Sequence, residues 1–373
     1  MEEVKRGLEN VVVLETGVSS IDGTEGVLRY RGFDINDLVY LPYDAVSYLL
    51  IRGKLPDDNE LAVYSAMLNE KRELGEYVQN VVRACNFNIE AMDALRTTIS
   101  YMSHCDPDLN DNSEEANLRK ATNLVAKFPT IVAAFSRILK GEDPVSPDPT
   151  LSHGANFLYM LRGSKPTEVE AEAMEKDFIL SAEHELNASS FASRITASTL
   201  SDLYSAIITG ICTLKGPLHG GARMEVMNML DEIPAPEAAK AYVLEKIANK
   251  EKIMGFGHRV YMTQDPRTII FKVLAKQLAE SKGDTQWYRT AENIENTLFM
   301  EFMEKRGKPL YPNVDFYSGV VYKYLEIPPR LATAVFAAGR ISGWIAHCME
   351  QYSDNRVIRP RAKYVKPAKT LKA

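Results

Sequence analysis

The stretch M-G-F-G-H-R-V-Y-M-T-Q-D-P-R, positions 254–267, gathers an imidazole, two glycines and an arginine. His258 can donate or accept a proton near neutral pH. Gly255 and Gly257 flank Phe256 and carry no Cβ, so backbone there can approach a ligand closely. Asp265 suits a helix N-cap and Pro266 the first helical position, which puts Arg267 in the first turn. Free N–H groups at a helix start and a planar guanidinium together match a carboxylate. The plainer alternative is a surface loop with a core histidine and a solvated arginine.

Other residues could share that chemistry. His219, in G-P-L-H-G-G-A-R, sits just ahead of a helix expected from near Gly221. Positive potential at a helix start disfavours imidazolium, so a neutral donor suited to an enolate-like oxygen is expected. A histidine satisfied by local backbone is the alternative. Asp315, in N-V-D-F-Y-S-G, lies among apolar neighbours and could be a general base with a raised pKa, or simply an N-cap. Arg340, in F-A-A-G-R-I-S-G-W-I, has small or apolar neighbours and no acidic residue one turn away. Buried arginine is costly unless paired, so its partner is either distant in sequence or an anionic ligand. Arg359 lies in a basic tail and reads equally as a solvated charge. His184, in A-E-H-E-L-N-A-S, reads as a core or ion-paired histidine. No histidine pair has metal-ligand spacing, so no metal site is expected. P-loop, G-x-S-x-G and Rossmann patterns are absent, and His104, His153 and His347 receive no role.

Stepping outwards, 373 residues allow two domains. A net charge of -6 argues against a general nucleic-acid binder. Cys85, Cys105, Cys212 and Cys348 form no C-x-x-C pair and read as reduced thiols. No long apolar run indicates a membrane span, and the N-terminus lacks a signal-like apolar region, so a cytoplasmic location is expected.

The elements that must hold these residues are mostly helical. Short extended pieces are expected from Val11–Leu14 to about Gly32. Asp44 is expected to cap a helix ended by Gly53. Asp57 with Glu60, and Thr167 with Glu170, have capping-box spacing. Leu61, Tyr64, Met67 and Leu68 form one apolar stripe, and Met92, Leu95, Ile99 and Met102 another. A helix over 118–139 should be kinked at Pro129. The small residues of 192–209 predict one central helix. Further helices are expected over 236–249, 266–281, 290–305, 313–324 and from Pro328-Pro329 to about Gln351. Glycine–proline breaks suggest a smaller domain set into a larger one.

Taken in order, I-D-G-T-E-G-V-L-R-Y-R-G, A-E-H-E-L-N-A-S, G-P-L-H-G-G-A, G-F-G-H-R-V-Y with D-P-R, N-V-D-F-Y-S-G, A-G-R and I-R-P-R-A resemble the citrate synthase family in its short archaeal and bacterial form. The resemblance spans nearly the whole chain. It implies an all-α two-domain fold with minor N-terminal β pieces: a large domain over 1–216 and 326–373, and a small domain over 217–325. It implies that His219, His258 and Asp315 are catalytic, that His184, Arg267 and Arg340 bind oxaloacetate or citrate, and that Arg359 reaches in from the other subunit of a homodimer. Gly255, Phe256 and Gly257 match the loop that receives coenzyme A. The implied reaction is a Claisen-type condensation of acetyl-CoA with oxaloacetate, followed by hydrolysis of citryl-CoA. No cofactor is implied, because the thioester is a substrate.

The nearest alternative is a 2-methylcitrate synthase using propionyl-CoA, since one added methylene changes discrimination by only roughly 1–3 kcal/mol. A non-catalytic anion or coenzyme A sensor and a metal-dependent hydrolase are alternatives of other classes.

Overall fold

The computed structural model describes residues 4–8, 11–85 and 88–365. The first three residues of the N-terminus read above, and the end of the basic tail from position 366, lie outside these. Three short strands, β1 (Ser19–Asp22), β2 (Val27–Tyr30) and β3 (Phe33–Asp34), form an antiparallel sheet in that order. The expected extended piece at Val11–Leu14 is not a strand: no neighbouring strand pairs with it, and Val12 is 90% exposed. Among the described residues, the regular elements after the sheet are helices, joined by loops.

In the first half of the chain, α1 (Ile35–Leu38) and α2 (Tyr43–Arg52) are followed by α3 (Asp58–Lys71), α4 (Glu76–Ala84) and α5 (Ala91–His104). The Asp57–Glu60 capping box opens α3, and Gly53 ends α2 in the left-handed region at φ 80. Asp44 is not the cap of α2. Pro42 holds that position, and the Asp44 carboxylate accepts instead from the Ser65 hydroxyl at 2.7 Å and lies 3.5 Å from His153. The second expected stripe is fully buried on α5, whereas only Tyr64 and Leu68 of the first are buried on α3.

The middle of the chain forms α6 (Glu114–Leu139), α7 (His153–Arg162), α8 (Glu168–Ser181), α9 (Ala188–Ser198) and α10 (Leu203–Leu214). Ser113 caps α6 and starts it earlier than expected, and the helix continues through Pro129. The single small-residue helix expected over 192–209 is two helices. Asp202 accepts from the Ser205 amide and starts α10 afresh after the left-handed Leu200. Small side chains still have the expected consequence: Gly210 on α10 lies so near Ser193 on α9 that a Cβ would meet its hydroxyl at 2.6 Å.

The remaining helices are α11 (Ala222–Glu232), α12 (Ala239–Ala248), α13 (Pro266–Lys282), α14 (Gln286–Arg306), α15 (Val314–Tyr324) and α16 (Ala332–Ser353). Of these, α11, α13, α14 and α15 pack on one another, and they meet the rest through α13 on α8 and α11 on α16. By contrast α16 is buried along most of its length, between α2, α6, α8, α9 and α10. A helix apolar on every side belongs at the centre of a fold. Among the described residues, no helix is long and apolar enough to cross a membrane.

Candidate active site

The expected site residues sit at the ends of elements or in the turns and loops beside them, except Arg340, which projects from the middle of α16, and Arg359, which lies in the irregular tail after it. His219 occupies the turn between α10 and α11. Its amide donates to the Gly216 carbonyl at 2.9 Å, and the Thr333 hydroxyl at the start of α16 donates to the Gly220 carbonyl at 2.8 Å. A Cβ on Gly220 would meet the Leu214 carbonyl oxygen at 2.3 Å, so only glycine allows the turn to lie this close to α10. The Ser189 amide N–H points at His219 Nε2 from 3.3 Å, and the Ser189 hydroxyl lies 2.8 Å from the same nitrogen. Nε2 therefore accepts, and the ring proton resides on Nδ1. Trp344 donates its indole N–H to Ser189 Oγ at 3.1 Å, fixing the serine in turn.

His258 has the opposite tautomer. Its Nδ1 accepts from the amides of Val260 (2.9 Å) and Tyr261 (3.0 Å), which leaves the proton on Nε2. Both imidazoles are thus neutral donors with one N–H not used in holding the ring. Burial, followed by the nearby Arg340 charge, brings His219 down to about 4. Burial and Arg267 bring His258 down to about 4 as well. His184 follows the end of α8, with its ring 5.4 Å from that of His258. Burial and then Arg267 hold it well below 6.5, and its Nε2 is buried without a hydrogen-bond partner. It is not ion-paired: among the described residues no carboxylate lies within salt-bridge distance of it.

Asp315 lies in the first turn of α15, but it is not the N-cap. Asn313 takes that role, accepting from the Asp315 amide at 3.0 Å. The Asp315 carboxylate is free for another use. Burial raises its pKa, while Arg223 and then Arg267 work in the opposite direction. Asn313 also donates its side-chain amide to the Gly257 carbonyl, and its own N–H to the Gly255 carbonyl at 2.8 Å. The glycine loop is thereby zipped to the start of α15. Gly255 and Gly257 both have φ of +81. At Gly255 a Cβ would also meet Val226 at 2.8 Å and Phe316 at 2.9 Å. The close approach that the first glycine permits is therefore to α11 and α15.

Arg267 stands in the first turn of α13 as expected, and Asp265 is the cap. Asp265 does more: its carboxylate binds Nε and Nη2 of Arg267 at 3.0 and 2.6 Å. Sequence reasoning assigned Asp265 only the cap; an acid two residues from a buried arginine was the available signal. Burial opposes the charge of Arg267, but Asp265 together with Tyr261 and Tyr30 outweighs it, so its pKa is raised. Arg340 is 2% exposed and donates Nε to the Ser181 carbonyl at 2.6 Å, with the Phe336 ring 4.7 Å away. Among the described residues no carboxylate lies within salt-bridge distance of it. Burial lowers its pKa to about 10, still far above neutrality. Arg359 is exposed and has no contact with these residues within the chain.

His184, His258 and Asp265 place one ligand-type atom each within 4.8 Å of one another. That cluster suits an anion better than a cation. Both Asp265 oxygens bind Arg267, His258 Nδ1 already accepts two N–H groups, and the arginine's charge repels a metal ion.

An all-α fold that gathers two neutral imidazole donors, a desolvated carboxylate and two buried arginines defines an acid–base enzyme for an anionic substrate. The sequence model described as "Citrate synthase, C-terminal domain" matches residues 7–361, and the chain belongs to the citrate synthase family. It is 46% identical to the citrate synthase of Haloferax volcanii over 97% of this chain and 96% of that one. A Bacillus subtilis protein named citrate/2-methylcitrate synthase is 38% identical, over 97% and 96% of the two chains. Among solved structures, the Thermoplasma acidophilum citrate synthase in ternary complex with carboxymethyl coenzyme A and oxaloacetate superposes with a TM-score of 0.92. That structure is 33% identical, with 100% of this chain and 99% of that one covered.

Proposed function

We propose that the chain condenses acetyl-CoA with oxaloacetate and hydrolyses the resulting citryl-CoA to citrate and coenzyme A. The observation that carries this reading is the pair of opposed tautomers, Nδ1–H on His219 and Nε2–H on His258, in a site with a desolvated Asp315. A thioester methyl is a very weak carbon acid, and an ordinary Asp has a pKa of about 3.9. A lone carboxylate cannot hold the proton unless the enol oxygen is stabilised as the proton leaves. Asp315 takes the methyl proton while His219 donates to the thioester oxygen. A positioned donor of this kind is worth roughly 2.7–4 kcal/mol in the barrier.

The enol carbon then attacks the oxaloacetate ketone, whose oxygen is polarised by His258 as an alkoxide develops. Arg267, Arg340 and His184 hold the substrate carboxylates, with Arg359 supplied by a second copy of the chain in a homodimer. The unpaired charge of Arg340 and the unpartnered Nε2 of His184 support that assignment. Residues 217–325 act as a small domain that closes on the large one and excludes water from the intermediate. The loop Gly255–Gly257 receives coenzyme A. Hydrolysis breaks the carbon–sulfur bond of citryl-CoA, and no step needs a metal or prosthetic group. The enzyme works in the cytoplasm.

A thiol-release assay with oxaloacetate and acetyl-CoA tests the proposal; no thiol release with any acyl-CoA would refute it. The similarity to the citrate/2-methylcitrate synthase favours a second reading, in which propionyl-CoA is also used. The ratio of specificity constants for the two thioesters decides between them.

A further inference from the structure

Asp315 faces a residue that the reaction outlined above does not use. Arg223, on α11, is only 1% exposed, and its Nε lies 3.6 Å from Asp315 Oδ1. One corner of the guanidinium is committed elsewhere: Nη1 donates to Asp177 Oδ1 at 2.9 Å and to the Tyr322 hydroxyl at 2.6 Å. Tyr322 in turn donates to Asp177 Oδ2 at 2.9 Å. The remaining polar atoms, Nε and Nη2, are buried with no hydrogen-bond partner. Such atoms are costly to bury unpaired. The plane of the guanidinium is held by rings, with Tyr322 at 4.8 Å, Phe336 at 5.1 Å and Phe271 at 5.8 Å. Gly319 lets α11 and α15 come close enough for this, since a Cβ there would meet Val226 at 2.8 Å.

We propose that Arg223 is the positioning residue of the catalytic base: clamped by Asp177 of α8, it turns Nε towards Asp315 and keeps that carboxylate ionised and oriented. The inference rests on Asp315 being the base. Two carboxylates share one guanidinium, so with both ionised the trio carries one net negative charge. When Asp315 accepts the substrate proton, the trio becomes neutral. The trio thus balances two demands. Without Arg223, burial and the Asp177 charge raise the Asp315 pKa and shrink the ionised fraction that can accept a proton. Without Asp177, Arg223 attends to Asp315 alone and weakens it as a base. The other charges that face this pocket are Arg267 and Asp265 from the start of α13 and Arg340 from α16. They are common to every variant below.

The test is the pH profile of kcat for thiol release in four variants, each checked for helical content and oxaloacetate binding. Arg223→Met should move the acid limb up by more than one pH unit, with KM for oxaloacetate changed less than about threefold. Arg223→Lys should fall between Met and the parent. Asp177→Asn should move the same limb down, by about one unit. Opposite shifts from the two sides of one ion pair are not produced by loss of packing. If Arg223→Met does not fold, Arg223→Lys and Asp177→Asn carry the test. Folded, substrate-binding variants whose limbs stay in place, or move in the same direction, would overturn the proposal. Asp315→Asn is the control: retained turnover there would remove the base itself and is distinguishable from both results.

Discussion

Asn313 donates its side-chain amide to the Gly257 carbonyl at 3.0 Å. With the backbone bond from the Asn313 N–H to the Gly255 carbonyl, this contact joins the loop carrying His258 to the helix carrying Asp315. The Asn313 Oδ1 simultaneously caps α15 by accepting from the Asp315 amide. One side chain therefore sets the relative position of the carboxylate and the electrophile's donor. Asn313→Ala should reduce kcat by tenfold or more while lowering stability by only about 1–2 kcal/mol, the sum expected for a lost cap and a lost hydrogen bond. Steady-state kinetics beside a urea titration checks this; unchanged kcat with the expected stability loss would leave Asn313 a cap alone.

Asp265 should matter to Arg267 in both folding and binding. Asp265→Asn leaves a guanidinium that is 2% exposed without its carboxylate. Removing one partner of a buried pair costs about 3–5 kcal/mol. On the proposed assignment oxaloacetate supplies a carboxylate to the same guanidinium, so saturating substrate should raise the variant's melting temperature more than the parent's. Differential scanning with and without oxaloacetate measures both. Equal increments in the two proteins would place the substrate away from Arg267.

The two histidines determine the sign of an acid-stability effect. Unfolded, each titrates near 6.5; folded, each is brought down to about 4 by burial. Between those values the unfolded chain binds more protons, so stability is fully present above about pH 6.5 and is lost as pH falls towards 4. At roughly 1.4 kcal/mol per pKa unit, each contributes at most about 3 kcal/mol. Urea midpoints between pH 4 and 7 should rise with pH, and His219→Asn or His258→Asn should flatten that rise. A slope unchanged in both variants would assign the effect to other groups.

Arg359 is tested by mixing subunits. An Arg359→Ala subunit combined with an Asp315→Asn subunit should restore about one competent site per mixed dimer, because one site then has both residues intact. Thiol release after proven subunit exchange is the measurement. No recovery would place Arg359 in its own subunit's site.

Local chemistry made much of this legible from the sequence. The capping boxes of Asp57 with Glu60 and of Thr167 with Glu170 formed as read, and so did the Asp265-Pro266 start of α13, because caps depend on residues within one turn. The apolar stripe of α5 was readable for the same reason, since a helical period is a property of adjacent turns. Order along the chain was enough to bring the motif segments under one family resemblance. Errors fell where local signals were ambiguous. Asp44 looks like a cap but is drawn inward by Ser65 and His153, both distant in sequence. The small-residue run 192–209 has the composition of one helix, but Asp202 caps a second.

The sequence by itself therefore determined most of the helices, many of their starts, and which residue types are present for acid–base chemistry on an anion. Only the tertiary structure decided the tautomer of His219, because the Ser189 amide that sets it arrives from another helix, whereas Val260 and Tyr261 set that of His258 from within the same turn. It also set Arg223 between Asp177 and Asp315, far apart along the chain. Hydrogen bonds and charge interactions act over a few ångströms, and which groups come within that distance is decided by packing, not by proximity in sequence.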